Sequence, residues 1–105
     1  MSNNSLEDLT VIEISSAIAG PYTGKLLADN GATVVKVEPI NGALLRNLST
    51  WYEEELETSD DYTYAFFQYN SGKESLAVDL KSEEGVKILW ELVDEADIFL
   101  ENMRS

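Results

Sequence analysis

The residues best suited to binding chemistry in this chain lie at two glycine turns. Asn70-Ser-Gly-Lys73 places a cation beside a glycine, so backbone N–H groups and an ammonium group can meet the same phosphate. Ser15-Ser-Ala-Ile-Ala-Gly-Pro21 consists of small residues that let a ligand approach the backbone, and Gly20-Pro21 opens a helix whose N-terminus favours an anion. These segments predict a site for an anionic ligand, and turns that bind nothing are the alternative.

The residue types that the chain lacks narrow the chemistry further. With no cysteine and no histidine among 105 residues, disulfides, thiol chemistry and the usual zinc sites are excluded, so no metal is expected. The net charge of −13 repels phosphate backbones and anionic lipid, so neither nucleic acid nor a membrane is expected as a partner. The sequence shows no leader pattern and no run near the roughly 18 apolar residues of a membrane span. A cytoplasmic protein is predicted.

A strand, a helix and a second strand must position the first of these turns. Leu9–Ser15 and Thr33–Glu38 are rich in β-branched residues and predict buried strands. Pro21 can begin the helix between them, and Gly31 can end it in a left-handed conformation. The helix is expected to bury one apolar stripe, which consists of Tyr22, Leu26 and Leu27.

A second unit of the same kind follows. Ser75–Leu80 predicts a strand, Ser82 is a suitable N-cap for a helix that runs to about Ala96, and Asp97–Glu101 predicts the last strand. The predicted apolar stripe of this helix consists of Val86, Leu89, Trp90, Val93 and Ala96. Connections of this length fit crossovers between parallel strands. We therefore expect one α/β domain over residues 1–105, with a Rossmann-like open parallel sheet and flanking helices.

A long acidic connection, at about residues 40–61, separates the two units. Connections of this length are either disordered, solvated excursions or functional lids, and both interpretations remain open. After it, aromatic residues at helical spacing predict a short helix that packs on the sheet; they include Tyr62, Phe66 and Tyr69.

Four segments in fixed order resemble the N-terminal portion of the family III CoA-transferases, the carnitine dehydratase and bile-acid-inducible F group. The segments are residues 15–21, Lys36-Val-Glu-Pro39, residues 70–81 and Ile98–Arg104. The resemblance implies a fold that is incomplete relative to full-length members. It also implies transfer of CoA between an acyl-CoA and a small carboxylic acid. An open half-sheet would expose an apolar face and an edge, so a homo-oligomer is expected.

The resemblance also implies which residues contact coenzyme A. The turn after the first strand would line the thioester, the end of the second strand would approach the nucleotide, and the later motifs would contact phosphate, pantetheine or adenine. These positions are Ser16, Ala17, Ile18, Ala19, Pro39, Arg46, Asn70, Lys73, Asn102, Met103 and Arg104. Some members carry glutamine where this chain has Ile18, so a small dicarboxylate acyl group is disfavoured and an apolar one favoured.

The family's chemistry uses an aspartate that attacks the acyl-CoA carbonyl, and no aspartate of this chain matches it. Asp29, Asp79 and Asp97 are expected at helix or strand ends, so the chain alone is predicted to be inactive. A non-catalytic module that binds CoA or another nucleotide is an alternative. An NAD-type domain is another, because Glu38 falls 18 residues after Gly20, although no G-x-G-x-x-G motif is present.

Overall fold

The chain folds as a parallel sheet with a helix on each face in a computed structural model that describes residues 5–15, 19–40 and 68–103. The elements in chain order are β1 (Thr10–Ile14), α1 (Ala19–Asp29), β2 (Thr33–Glu38), β3 (Glu74–Ala77), α2 (Glu83–Glu95) and β4 (Ile98–Glu101). Every strand pairing is parallel, and the spatial order is β3-β2-β1-β4. The predicted α/β class is confirmed.

The connections place a topological switch point between β1 and β4. Helix α1 joins the neighbours β1 and β2, whereas α2 joins β3 and β4, which lie at opposite edges of the sheet. The chain therefore leaves β1 toward one edge and reaches β4 at the other. In open α/β sheets a ligand crevice forms at such a point, outside the carboxyl ends of the strands.

Successive side chains of a strand point to opposite faces of the sheet, and the two faces differ in composition. On the α2 face the core is apolar and includes Ile12, Ile14, Val37, Val78 and Leu89. On the α1 face Val11 and Val34 form a smaller apolar cluster, but Glu13 and Lys36 are also buried. A parallel sheet covered on both faces normally has apolar strands, so these two charges require an explanation.

Helix α1 does not bury the predicted stripe. Tyr22 and Leu26 are 49% and 44% exposed, and of the predicted residues only Leu27 packs against the core. The helix instead buries its small residues, which are Gly20, Pro21 and Gly24. Small side chains let the helix backbone approach the sheet closely, and this rotates the larger apolar residues outward. The Tyr22 ring packs edge-on against Tyr69, with 6.3 Å between ring centroids.

The ends of α1 follow from local chemistry. The helix begins at Ala19, two residues before the predicted start, and Pro21 is tolerated because the first N–H groups of a helix have no intrahelical partner. Gly31 follows the helix with a φ of 107°, as predicted, and its N–H donates to Ala28 O at 3.0 Å.

Helix α2 has the predicted ends but a partly different buried face. The Ser82 hydroxyl accepts a hydrogen bond from Gly85 N at 3.0 Å, and Ala96 ends the helix, as predicted. Leu89, Val93 and Ala96 pack on the core as expected, whereas Trp90 is 57% exposed and Val86 also faces outward. Gly85 and Leu89 are the buried residues of α2, and a Cβ on Gly85 would overlap Asp79 O in the connection that precedes the helix.

The remaining predictions differ from the structure in smaller ways. The first strand is one residue shorter at each end than predicted, and β3 replaces the predicted Ser75–Leu80. The acidic connection and most of the predicted aromatic helix lie outside the described residues, although residues 68–70 are helical. Neither α1 nor α2 is long and apolar enough to cross a membrane.

Candidate functional site

The switch point brings together the residues that follow β1 and β4. Ser15 comes directly after β1, and Asn102 comes directly after β4. A Cβ on Gly20 would overlap Ser15 Cβ and would lie 3.0 Å from the side-chain amide of Asn102, so all three residues are in close contact. Helix α1 begins here with no acidic side chain in its first turn. Its positive dipole end is therefore available to an anion.

A buried carboxylate lies beneath this turn. Glu13 is 0% exposed, and its Oε2 atom accepts hydrogen bonds from Lys36 Nζ at 3.0 Å and from the Ser15 hydroxyl. Lys36 also donates to Ser15 O at 3.3 Å. Glu13 and Lys36 are direct partners in the β1–β2 pairing, which explains how the two side chains meet. Ser15 is thus held through both its hydroxyl and its carbonyl.

Lys73 reaches the same carboxylate from the turn before β3. Its Nζ atom lies 2.8 Å from Glu13 Oε1, an ion pair outside hydrogen-bond alignment, so charge rather than a hydrogen bond compensates this oxygen. The ammonium group donates to Asn70 Oδ1 at 2.7 Å and to Pro21 O at 2.9 Å. Lys73 therefore links β1, the first turn of α1 and the 70–73 turn.

The cluster holds one carboxylate and two ammonium groups. The Lys73 side chain is 2% exposed, and this burial lowers the pKa of Lys73 from its ordinary value of 10.5 to about 8. Glu13 opposes the shift, while Lys36 and Lys25 add to it by charge repulsion. The protonated cluster carries a net positive charge beneath the helix N-terminus, which further favours an anion there.

An apolar pocket of about 530 Å³ opens at the same carboxyl end of the sheet, on the face that α2 covers. It is lined by residues that end or follow the strands: Ile14, Val37, Pro39, Ile40, Val78, Asp79, Leu80, Lys81 and Met103. This volume lies within the usual range of small-molecule sites, roughly 300–1,000 Å³. The pocket is mainly apolar, and its lining includes the cationic residue Lys81.

The predicted site residues divide between these two places. Pro39 and Met103 line the pocket, whereas Asn70, Lys73 and Asn102 lie around the first turn of α1, close to Ala19. The predicted positions outside the described residues are Ser16, Ala17, Ile18, Arg46 and Arg104. The amine of Lys73 makes only internal contacts among the described residues, so its phosphate contact stays a prediction.

Three residues of this region were missed by the sequence predictions. Glu13 and Lys36 form the centre of the buried cluster, and Lys81 lines the pocket. The available signal was Glu13 among the apolar residues of β1 and Lys36 between the valines of β2, a strand that also ends in Glu38. Such charges are almost never fully buried unless they are paired, so each one predicts the other.

The three aspartates considered above have local structural contacts. Asp29 pairs with Lys25 at 2.8 Å, Asp79 Oδ1 accepts from Lys81 N, and Asp97 Oδ2 accepts from Thr10 N. Glu38, the acid of the NAD-type alternative, is buried and accepts a hydrogen bond from the Ser75 hydroxyl. Among the described residues, no group of three or more carboxylates could hold a metal ion.

Comparisons with known proteins agree on one family. The family model described as CoA-transferase family III matches residues 6–105. The (R)-2-hydroxy-4-methylpentanoate CoA-transferase of Clostridioides difficile is 42% identical over 99 residues, 94% of this chain and 24% of that protein. The succinyl-CoA:mesaconate CoA-transferase of Haloarcula hispanica (strain ATCC 33960) is 39% identical over 102 residues, 95% of this chain and 25% of that protein.

A solved structure shows the same fold. The crystal structure of a CaiB/BaiF family protein from Brucella suis superposes with a TM-score of 0.82 at 37% sequence identity, covering 97% of this chain and 26% of that one. The chain thus spans about a quarter of the length of the relatives that it matches.

Proposed function

The chain belongs to CoA-transferase family III, and from this membership we propose that it forms the CoA-binding part of an enzyme that transfers CoA between an acyl-CoA and a carboxylic acid. The reaction exchanges one thioester for another, so it needs no oxidant or reductant. The catalytic aspartate lies outside these residues in this proposal, and the chain assayed alone is inactive.

The observation that carries the proposal is the meeting of Ser15, Gly20 and Asn102 at the switch point between β1 and β4. CoA is a polyanion, and this is where an α/β sheet offers a helix N-terminus with close backbone access. The net positive cluster below the turn supports the same ligand class.

The pocket on the α2 face supports a second part of the proposal. Its lining is mainly apolar, with Pro39 and Met103 at the strand ends and Lys81 as a cation. An adenine ring would bury its faces against such a lining, while Lys81 would pair with a phosphate of the nucleotide. The Ser16–Ala19 turn would then contact the thioester, and Asn70, Arg46 and Arg104 would complete the nucleotide and phosphate contacts.

Two finer points are part of this proposal. Ile18 would give the acyl group an apolar neighbour, which favours an apolar acyl chain over a small dicarboxylate. The exposed apolar side chains on α2 and β4 support a homo-oligomer, and light scattering at several protein concentrations tests it.

Calorimetric titration of the chain with CoA tests the proposed function. We expect saturable binding, and Lys81→Met should weaken it by about tenfold, the loss of one charge-assisted phosphate contact. Lys87→Met is the matched control, because it removes the same charge from α2 away from the pocket. Its affinity should stay within about twofold.

Three results would contradict the proposal. They are no binding of CoA, equal loss of affinity in the two lysine variants, or tighter binding of NAD than of CoA. A separate assay with acyl-CoA donors and acids tests the predicted inactivity, which an enzyme-like transfer rate by the chain alone would overturn.

A further inference from the structure

The buried Glu13 has no direct part in the proposed chemistry, yet its carboxylate contacts three other side chains. Its two oxygens contact side chains from three segments: Ser15 after β1, Lys36 in β2 and Lys73 before β3. A lone buried carboxylate is very costly, and a paired one is often no more stabilising than an apolar core. General stability is therefore a poor explanation for placing a charge here.

The contacts of this cluster reach both Ser15, directly after β1, and Pro21, in the first turn of α1. On one side, Ser15 is held by Glu13 through its hydroxyl and by Lys36 through its carbonyl. On the other side, Pro21 O accepts from Lys73, whose charge pairs with the same Glu13. One carboxylate thus connects the end of β1 with the first turn of α1.

The packing of α1 on the sheet also depends on Glu13. A Cβ on Gly24 would overlap Glu13 Oε1 and would lie 3.1 Å from Lys73 Nζ, so the helix rests directly on the ion pair. Contact with the Glu13 side chain thereby limits how closely α1 can approach the sheet at Gly24. At Gly20 the helix is in contact with Ser15 and Asn102.

We propose that Glu13 is a positioning residue that fixes the end of β1 and the first turn of α1 relative to each other, because it holds Ser15 directly and through Lys36, and Pro21 through Lys73. The inference rests on the proposed function for its consequence, because Ser15 and the first turn of α1 flank the segment that would contact the thioester. The effect of Glu13 on these two places does not depend on which ligand binds.

The test measures backbone hydrogen exchange across the chain, together with CoA affinity. Glu13→Gln keeps the size of the side chain but removes its charge. It should raise exchange in the first two turns of α1, residues 19–25, by about tenfold more than in Leu89→Ala, a core variant on the opposite face that controls for global stability. CoA affinity should fall by about tenfold in Glu13→Gln and stay within about twofold in the control when both variants are fully folded.

Two further variants keep the test decisive if Glu13→Gln folds poorly. Ser15→Ala removes one connection and no charge, so it should raise exchange at residues 19–25 by a smaller factor. Glu13→Gln combined with Lys73→Met removes an uncompensated cation, so global stability should partly recover while residues 19–25 still exchange rapidly. A merely structural role predicts that exchange at residues 19–25 recovers together with stability.

The outcomes separate the two proposals. If the unmodified chain does not bind CoA, the proposed function fails, and hydrogen exchange alone judges the role of Glu13. If exchange at residues 19–25 is unchanged in Glu13→Gln, or rises equally in Leu89→Ala, the positioning role is wrong whether or not CoA binds.

Discussion

Gly24 of α1 lies directly over the carboxylate of Glu13 in β1, and no space remains for a Cβ atom between them. Alanine normally stabilises a helix interior by about 1 kcal/mol relative to glycine. Here the added methyl group would have to displace a fully buried carboxylate from two ammonium groups. The glycine is therefore required by a tertiary contact and opposed by local helix propensity.

This contact predicts that Gly24→Ala destabilises the chain. We expect the free energy of unfolding to fall by about 3 kcal/mol, because overpacking and a disturbed buried ion pair outweigh the gain in helix propensity. Urea unfolding followed by circular dichroism measures the change. Thr23→Ala, on the exposed side of the same helix turn, should change stability by less than about 0.5 kcal/mol. A Gly24→Ala variant as stable as the original would mean that the Glu13 carboxylate moves aside at little cost.

The lowered pKa of Lys73 predicts a pH dependence of stability. Burial brings this pKa to about 8 in the folded chain, against 10.5 as the ordinary value. Between these values the unfolded chain binds more protons, so the contribution of Lys73 to stability rises with pH. Lys73→Met cannot titrate at this position. The stability of the original chain relative to Lys73→Met should therefore be constant below about pH 8 and increase toward pH 10.

Urea midpoints for both chains at several pH values between 7 and about 10 provide the measurement. Lys87→Met, which removes an exposed lysine of α2, controls for the change in net charge. A relative stability that falls with rising pH would show that the folded chain holds the Lys73 proton more tightly than the unfolded chain does.

Two adjacent residues of α2, Leu89 and Trp90, should lose very different amounts of stability when they are truncated. Leu89 is buried in the core of the α2 face, so Leu89→Ala should cost about 3 kcal/mol of unfolding free energy. Trp90 is 57% exposed, so Trp90→Ala should cost less than about 1 kcal/mol despite the larger side chain. Chemical denaturation of the two variants compares them directly, and a larger loss at Trp90 would contradict the described rotation of α2.

The predicted fold depended on features that are local in sequence. β-branched runs marked β1 and β2, Gly31 marked the end of α1, and Ser82 marked the start of α2, and each of these was confirmed. Such signals work because strand preference, left-handed glycine and helix capping are decided by a few neighbouring residues.

The predicted helix faces were wrong in part, because periodicity identifies an apolar stripe but not how closely the helix approaches the sheet. Gly20 and Gly24 in α1, and Gly85 in α2, permit backbone contacts that larger residues would prevent. Each helix is rotated toward its glycines, which leaves Tyr22 and Trp90 outside. The pattern of apolar residues does not show that these glycines are buried, so it does not predict which side of the helix faces the sheet.

The candidate site was predictable in part. The order of the motifs indicated that Asn102, Lys73 and the β1–α1 turn come together, and the described residues around the turn do so. The Glu13 cluster was not predicted because its members are 23 and 60 positions apart in the sequence. They meet only once the strand register is known.

The pairing of Glu13 with Lys36 bears on how the sheet finds its alignment while the chain folds. The two residues face each other across neighbouring parallel strands, and side chains alternate between the faces of a sheet. If β2 slipped by one residue relative to β1, Lys36 would point into the apolar core around Leu89. Both charges would then be buried without water or a counterion. The ion pair should therefore favour the observed register over a one-residue slip, because burying two unpaired charges costs far more than the pair itself stabilises the fold.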